Sequence, residues 1–246
     1  MASDSAAGEP SAPREPREGP TGRGALDRDR ILRRGLTILD EQGMRALTMR
    51  KLGTDLGVDP MALYHHVPGR EGLLDGITDL VLDDLRTTPG IEIPSTVGWS
   101  EYLHRLGHGM REIAQRHPRI FPLVATRPPE APWLRPPMRS LWLVESFLST
   151  LVSRGFTERS AIATYRVFSS FLLGHLLLEA TARGAESAAP IEEPHPQSAG
   201  HVDAALYPTL ASMRDGLQVD HSEQDFDDAL GQIIGQVEAL RAQGDR

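Results

Sequence analysis

The sequence predicts an all-α fold. Apolar residues recur at helical spacing through almost every segment able to hold a core, and no strand signal competes with them. Helix start and stop signals fall where those periodic runs begin and end, with Asp or Thr ahead of several and Gly after. Four divisions follow: a tail over 1–24, a compact N-terminal unit over 25–70, a connecting helix and linker over 71–98, and a larger helical unit over 99–246.

The tail is rich in Pro, Glu, Arg, Gly, Ser and Ala, has no apolar content to bury, and is expected to be disordered. Its Arg14, Arg17 and Arg23 are read as solvated rather than as a minor-groove arm, because Glu residues interleave with them. The first helix is expected from Asp27 to about Gln42, with Ile31, Leu32, Leu36, Ile38 and Leu39 inward and Gly43 as its stop. Arg28, Arg33 and Arg34 lie on its polar side, placed equally for phosphate contact or for solubility.

A pair of short helices follows. Leu47, Leu52 and Leu56 set the inner face of one, Thr48 is its N-cap, Arg50 and Lys51 occupy its first turn, and Gly57 ends it. Asp59 caps the next, with Pro60 at the first helical position, where a missing N–H is tolerated. That helix, expected from Pro60 to about Val67, is too short to stand alone. Its outer face shows Met61, Ala62, Tyr64, His65 and His66 instead of a row of charges. A short helix braced by a neighbour and showing such groups is the form of a helix-turn-helix recognition element.

Beyond it, Arg70 to about Arg86 is a helix with Leu73, Leu74, Ile77, Leu80, Val81 and Leu85 inward, and Thr87–Gly98 is a linker. Helices are expected over Trp99–His117, Arg119–Thr126, Met138 to about Arg154, and from a Thr157 cap to about Ala182. The last of these is apolar on nearly every side from Phe168 to Leu178, as a helix buried in a core must be. Ala185–Gly200 reads as a loop, Val202–Met213 as a short helix, and Ser222 to about Arg241 as the final one.

Composition narrows the function. The chain of 246 residues has no cysteine, so disulfides, thiolate metal sites and cysteine nucleophiles are excluded. The apolar runs are shorter than a bilayer requires and the N-terminus has no signal-peptide core, so no membrane partner and a cytoplasmic location are expected. Net charge is −8 overall, yet residues 21–70 carry +3 while residues 71–246 carry −9. The basic excess coincides with the helix-turn-helix, and the acidic remainder would orient the protein on DNA.

The run LTMRKLGTDLGVDPMALYHHV followed by GREGLLDGI resembles the DNA-binding domain of the TetR family of bacterial regulators, with its L-Y-x-H-V signature at Leu63, Tyr64, His66 and Val67. RHPRIFPLVATRPP, RGFTERSA and FLLGHLLLEA resemble that family's tetracycline-repressor-type C-terminal domain. The resemblance implies that Arg50 reads a base, with Lys51 beside it, and that Thr48, Tyr64, His66 and Arg70 meet phosphates. Pro60, Met61, Ala62 and His65 then face base edges, Met61 and Ala62 suiting thymine methyls. It implies a double-stranded DNA operator as partner. It also implies a homodimer through the Ala161–Ala182 and Ser222–Arg241 helices, since one recognition helix covers half a palindrome.

A small-molecule effector is the other expected partner. Trp99, Tyr102, His104, Phe121, Trp133, Met138, Trp142, Phe168, Phe171, His175 and Glu179 are the candidate pocket residues, an apolar set with a few polar groups. Tetracycline repressors place a His three residues before the Thr of a T-R-P motif to help hold a magnesium-bound drug; Leu123 stands there, ahead of Thr126. No cofactor, metal or catalytic residue is expected. His104 and His108 stand i, i+4 without a third ligand at diagnostic spacing, and Glu145 and Glu179 have no nucleophile or cofactor cradle nearby. The expected function is a DNA-binding transcriptional regulator, a dimeric repressor released by a small hydrophobic ligand. The alternative is an effector-independent DNA-binding dimer.

Overall fold

Short-range signals account for most of the helices in the computed structural model, which describes residues 26–87, 97–126, 131, 133–138, 140–184 and 204–244. The expected tail over 1–24, the loop over 185–200, and most of the 87–98 linker lie outside the described residues. Helices are the only regular structure among the described residues, as the periodicity required.

Helix α1 (Arg28–Gln42) begins where the Asp27 carboxylate accepts from the Arg30 amide, and α2 (Met49–Leu56) where the Thr48 hydroxyl accepts from the Lys51 amide. Gly57 ends α2 at φ 71°, a left-handed conformation that a Cβ disfavours. Gly57→Ala is expected to lower stability by about 1–2 kcal/mol, read from denaturant midpoints at unchanged m-value. Helix α3 (Pro60–Leu63) starts on the Asp59 cap and is shorter than the sequence suggested. Tyr64 to His66 close as a turn, with the His66 and Val67 amides both donating to the Leu63 carbonyl, and Pro68 and Gly69 then redirect the chain. A Cβ on Gly53 would stand 3.1 Å from the Val58 carbonyl oxygen and 3.2 Å from the Pro60 ring, so a residue without one lets α2 and α3 close their turn.

Helix α4 (Gly69–Thr87) lies along α1. Their approach is close because glycines face side chains. A Cβ on Gly76 would be 2.6 Å from Leu32 Cδ2, and one on Gly35 would be 2.8 Å from Ile77 Cδ1. Beyond the linker come α5 (Trp99–Arg116), α6 (Phe121–Thr126), α7 (Leu141–Ser153) and α8 (Glu158–Ala182). Ser140 caps α7, three residues later than the sequence suggested, since 133–138 runs as an irregular strap ahead of it. Thr157 caps α8 as expected.

Helix α8 is the axle of the C-terminal half, packing on α5, α6, α7 and α11. Its 25 residues are long and apolar enough to cross a membrane, which corrects the expectation from shorter runs, and one of its faces, through Ile162 and Leu178, is exposed in the single chain, so it is less enclosed than its apolar pattern suggested. In place of one helix over Val202–Met213 there are two short ones, α9 (Pro208–Ser212) and α10 (Arg214–Gln218), which pack mainly on each other. Leu206, Tyr207, Leu210, Met213, Leu217 and Val219 stay exposed on this arm. Helix α11 (Ser222–Gly244) returns along α8 and α5, where Gly107 gives room to Leu230.

Candidate DNA interface and effector cavity

The recognition surface is built by α2 and α3. Leu52, Leu56, Leu63 and Val67 are buried, which turns Thr48, Arg50, Met61, Tyr64 and His65 outward. Met61 is 67% and Tyr64 47% exposed, so both side chains are free to meet a partner on this face. Ala62 and His66 are half-buried beside them, as is Pro60. Lys51 donates to Asp55 at 2.9 Å and Arg34 donates to the other oxygen of the same carboxylate at 2.6 Å. Those two hydrogen bonds hold the Asp55 carboxyl below its ordinary range. Lys51 thus serves α2 and α1 as well as the outer face. Arg70 is exposed, but its guanidinium donates to the Met44 carbonyl at 3.1 Å and, at longer range, to the Leu47 carbonyl, fastening α4 to the α1–α2 turn.

The C-terminal half holds a narrow cavity. Leu106 and Met110 of α5, Leu143, Val144 and Phe147 of α7, Tyr165, Phe168, Ser169 and Leu172 of α8, and Met138 of the strap line it. Its free volume is about 20 Å³, roughly the room of one water. Of the residues singled out from sequence, Met138 and Phe168 meet here. Tyr102 is buried against Phe147, and burial pushes its hydroxyl up to about 12. Phe121 is buried in α6, while Trp99 packs edge-on against Phe156. Trp133 is 79% exposed and Trp142 also reaches solvent. Phe171 and His175 pack against Phe226 of α11, at centroid distances of 6.1 and 5.3 Å. His104 is half-buried on α5, and His108 lies 3.6 Å from Asp227.

Glu179 is buried in an ionic cluster. It accepts from Arg111 through both oxygens at 3.1 Å, from Gln115 at 3.0 Å and from Arg183 at 3.1 Å. Burial works against its ionisation, but the hydrogen bonds from Arg111 and Gln115 and the charges of Arg111 and Arg183 together hold its carboxyl below the ordinary value. The Arg111 guanidinium also lies 5.0 Å over the Phe226 ring.

A third feature joins the two halves and had no sequence signal. At the corner after α5, His117 Nδ1 meets Asp40 Oδ2 of α1 at 2.8 Å, and Arg119 donates to the Asp40 carbonyl at 2.8 Å. His117 is buried, and Asp40 Oδ1 is buried without a hydrogen-bond partner. Alongside this joint, α4 packs on both α5 and α6.

An exposed helix-turn-helix face, held by one long helix to a larger helical unit with its own cavity, defines a DNA-binding regulator with a ligand-binding domain. Residues 31–77 match the family of bacterial regulatory proteins called tetR, and residues 94–241 match the tetracyclin repressor-like C-terminal domain. The chain belongs to the TetR family. It is 26% identical over 242 residues to the HTH-type transcriptional repressor DrrR1 of Streptomyces coeruleorubidus, covering 94% of this chain and 83% of that one. The class G tetracycline repressor of Vibrio anguillarum is 27% identical, with 88% of this chain and 96% of that protein covered. Among solved structures, ActR of Streptomyces coelicolor in complex with (S)-DNPA superposes with a TM-score of 0.64 at 25% identity, covering 87% of this chain and 98% of that one. A possible TetR family regulator from the same organism reaches 0.69 at 25% identity, over 87% of this chain and all of that one. TetR family proteins bind DNA operators and small molecules and act as dimers, and this chain is a DNA-binding transcriptional regulator.

Proposed function

We propose that the protein is a homodimeric repressor that holds a palindromic operator and lets it go when a small apolar molecule enters the cavity between α5, α7 and α8. The observation that carries this is the joint at Asp40, which ties the DNA-reading half to the corner of a cavity-lining helix. Ligand-bound relatives support it: ActR has been crystallised with (S)-DNPA and with actinorhodin. Pairing of α8 and α11 with their mates is proposed for the dimer, supported by the exposed Ile162 and Leu178 on α8. Energetically, the molecule acts only through its preference for the released arrangement.

On DNA, Thr48, Arg50, Lys51, Pro60, Met61, Ala62, Tyr64, His65 and His66 form the proposed contact set, with Arg50 reading a base, Pro60, Met61, Ala62 and His65 facing base edges, and Thr48, Tyr64 and His66 meeting phosphates. Arg70 belongs with them through the α1–α2 turn it braces. Arg50→Ala is expected to lose about 1–3 kcal/mol of discrimination between operator and random DNA, measured by competition binding at fixed salt. Equal loss on both DNAs would assign Arg50 to phosphates instead.

The tight filling of the cavity favours a second reading, in which the C-terminal half only dimerises. A thermal-shift screen against hydrophobic drugs and metabolites, followed by operator release, separates the two. A ligand that raises Tm and frees DNA establishes the sensor; tight DNA binding with no hit in a broad library points to an effector-independent dimer.

A further inference from the structure

A hydrogen bond ties the strap beside the cavity to α8. Tyr165 of α8 donates its hydroxyl to the Pro136 carbonyl at 2.8 Å, holding the 133–138 strap against the helices. Met138, at the end of the strap, supplies the wall opposite Phe168 and Leu172. The free volume admits nothing larger than a water, so a guest needs the wall to move, and Met138 is the lining residue that the strap carries. Two lining residues, Tyr165 and Ser169, carry hydroxyls, but the wall of the void is apolar throughout, with the Tyr165 hydroxyl turned to Pro136, and no charged side chain is among the lining residues. The nearest buried charges, Arg111 and Glu179, already satisfy each other.

We propose that the cavity accepts an uncharged aromatic molecule carrying a hydrogen-bond acceptor of the carbonyl class, and that this acceptor takes the Tyr165 hydroxyl from Pro136 and so frees the strap. This rests on the cavity being the effector site. A charged molecule would be buried there without a counter-ion, at a cost the lining has no means to offset. Phe147, Phe168 and Tyr165 offer ring faces and edges, and the thioethers of Met110 and Met138 add polarisable contacts, which favours an aromatic guest over a purely aliphatic one. The acceptor follows from the Tyr165 hydroxyl. Burial pushes it up to about 12, so it remains a donor throughout the working pH range. Once the strap lifts, Pro136, which is half-buried, regains water, whereas the buried Tyr165 hydroxyl is left unpaired unless the guest accepts from it.

Three probes test this on the intact dimer by calorimetry: 9-fluorenone, the same skeleton without the carbonyl (fluorene), and a fluorenone carboxylate. The parent protein is expected to bind fluorenone about tenfold more tightly than fluorene, the scale of one neutral buried hydrogen bond, and to show no measurable affinity for the carboxylate. Tyr165→Phe should bring the ketone-to-hydrocarbon ratio to about 1 while still binding both, and Ser169→Ala should leave the ratio as in the parent. Met138→Ala should strengthen binding of ketone and hydrocarbon alike, and keeps the test open if Tyr165→Phe fails to fold. An unchanged ratio in Tyr165→Phe, loss of the ratio in Ser169→Ala, a carboxylate that binds as well as the ketone, no gain in Met138→Ala, or no binding of any probe would overturn the proposal. Tyr165-dependent binding that leaves operator affinity unchanged would uphold the site chemistry and overturn the sensor function.

Discussion

Glu179→Ala lowers the unfolding free energy by about 3–5 kcal/mol, because it leaves the Arg111 guanidinium buried without its counter-charge. The carboxylate joins α5 to α8 through Arg111 and Gln115, and Arg111 carries the link on to Phe226 of α11. Three helices of the C-terminal half therefore share one charge. Glu179→Gln keeps the shape and part of the hydrogen bonding and should cost less, and the double variant Arg111→Met with Glu179→Leu should recover most of the loss. Urea unfolding at one protein concentration is the measurement, since dimer stability depends on concentration. The pH dependence has a definite sign. The folded carboxyl titrates below its ordinary value of 4.5, so its contribution is complete above that value and disappears as pH falls through the folded pKa. Glu179→Gln should flatten the stability profile in that acid window and leave its slope near neutrality unchanged.

His117→Ala is expected to disconnect the two halves. In the parent, an inducing ligand should weaken operator binding by a factor in the range of about 5 to 150, the usual span of allosteric coupling. Removal of the His117–Asp40 contact should bring that factor close to 1 while ligand affinity for the DNA-free protein changes little. Arg119 still donates to the Asp40 carbonyl in that variant, so His117→Ala with Arg119→Ala should complete the effect. Fluorescence anisotropy of a labelled operator, with and without saturating ligand, reads the factor directly. Full coupling retained in the double variant would put transmission in α4 alone.

The parts legible from sequence are those decided within a few residues. The caps at Thr48, Asp59 and Thr157 depend on one side chain and an amide two or three positions on, and each is found where the pattern put it, while Asp27, expected as the first residue of its helix, is its cap. Helix α3 is shorter than its apolar pattern because the chain tightens into i to i−3 turns from Tyr64 to His66, and the arm divides at Met213 although its apolar spacing runs through. Cavity residues were harder to find. An aromatic side chain looks the same in a sequence whether it fills the core, as Phe121 and Tyr102 do, stands in solvent, as Trp133 does, or lines a void, as Phe168 does. Tyr165 carried no signal of its own, since its partner is a backbone carbonyl 29 positions away. His117 and Asp40 meet across 77 positions, and nothing local to either announces the other.

The glycine contacts between α1 and α4 bear on how any movement reaches DNA. Where Leu32 sits against Gly76 and Ile77 against Gly35, only a residue without a Cβ leaves room for the facing side chain, so the two helices interlock closely. On the proposed mechanism, a tilt imposed on α4 by the C-terminal half would carry α1 with it, and α2 and α3 through the contacts that join them. On that mechanism, a preference at the cavity for the released arrangement would move two such heads as units out of register with their half-sites.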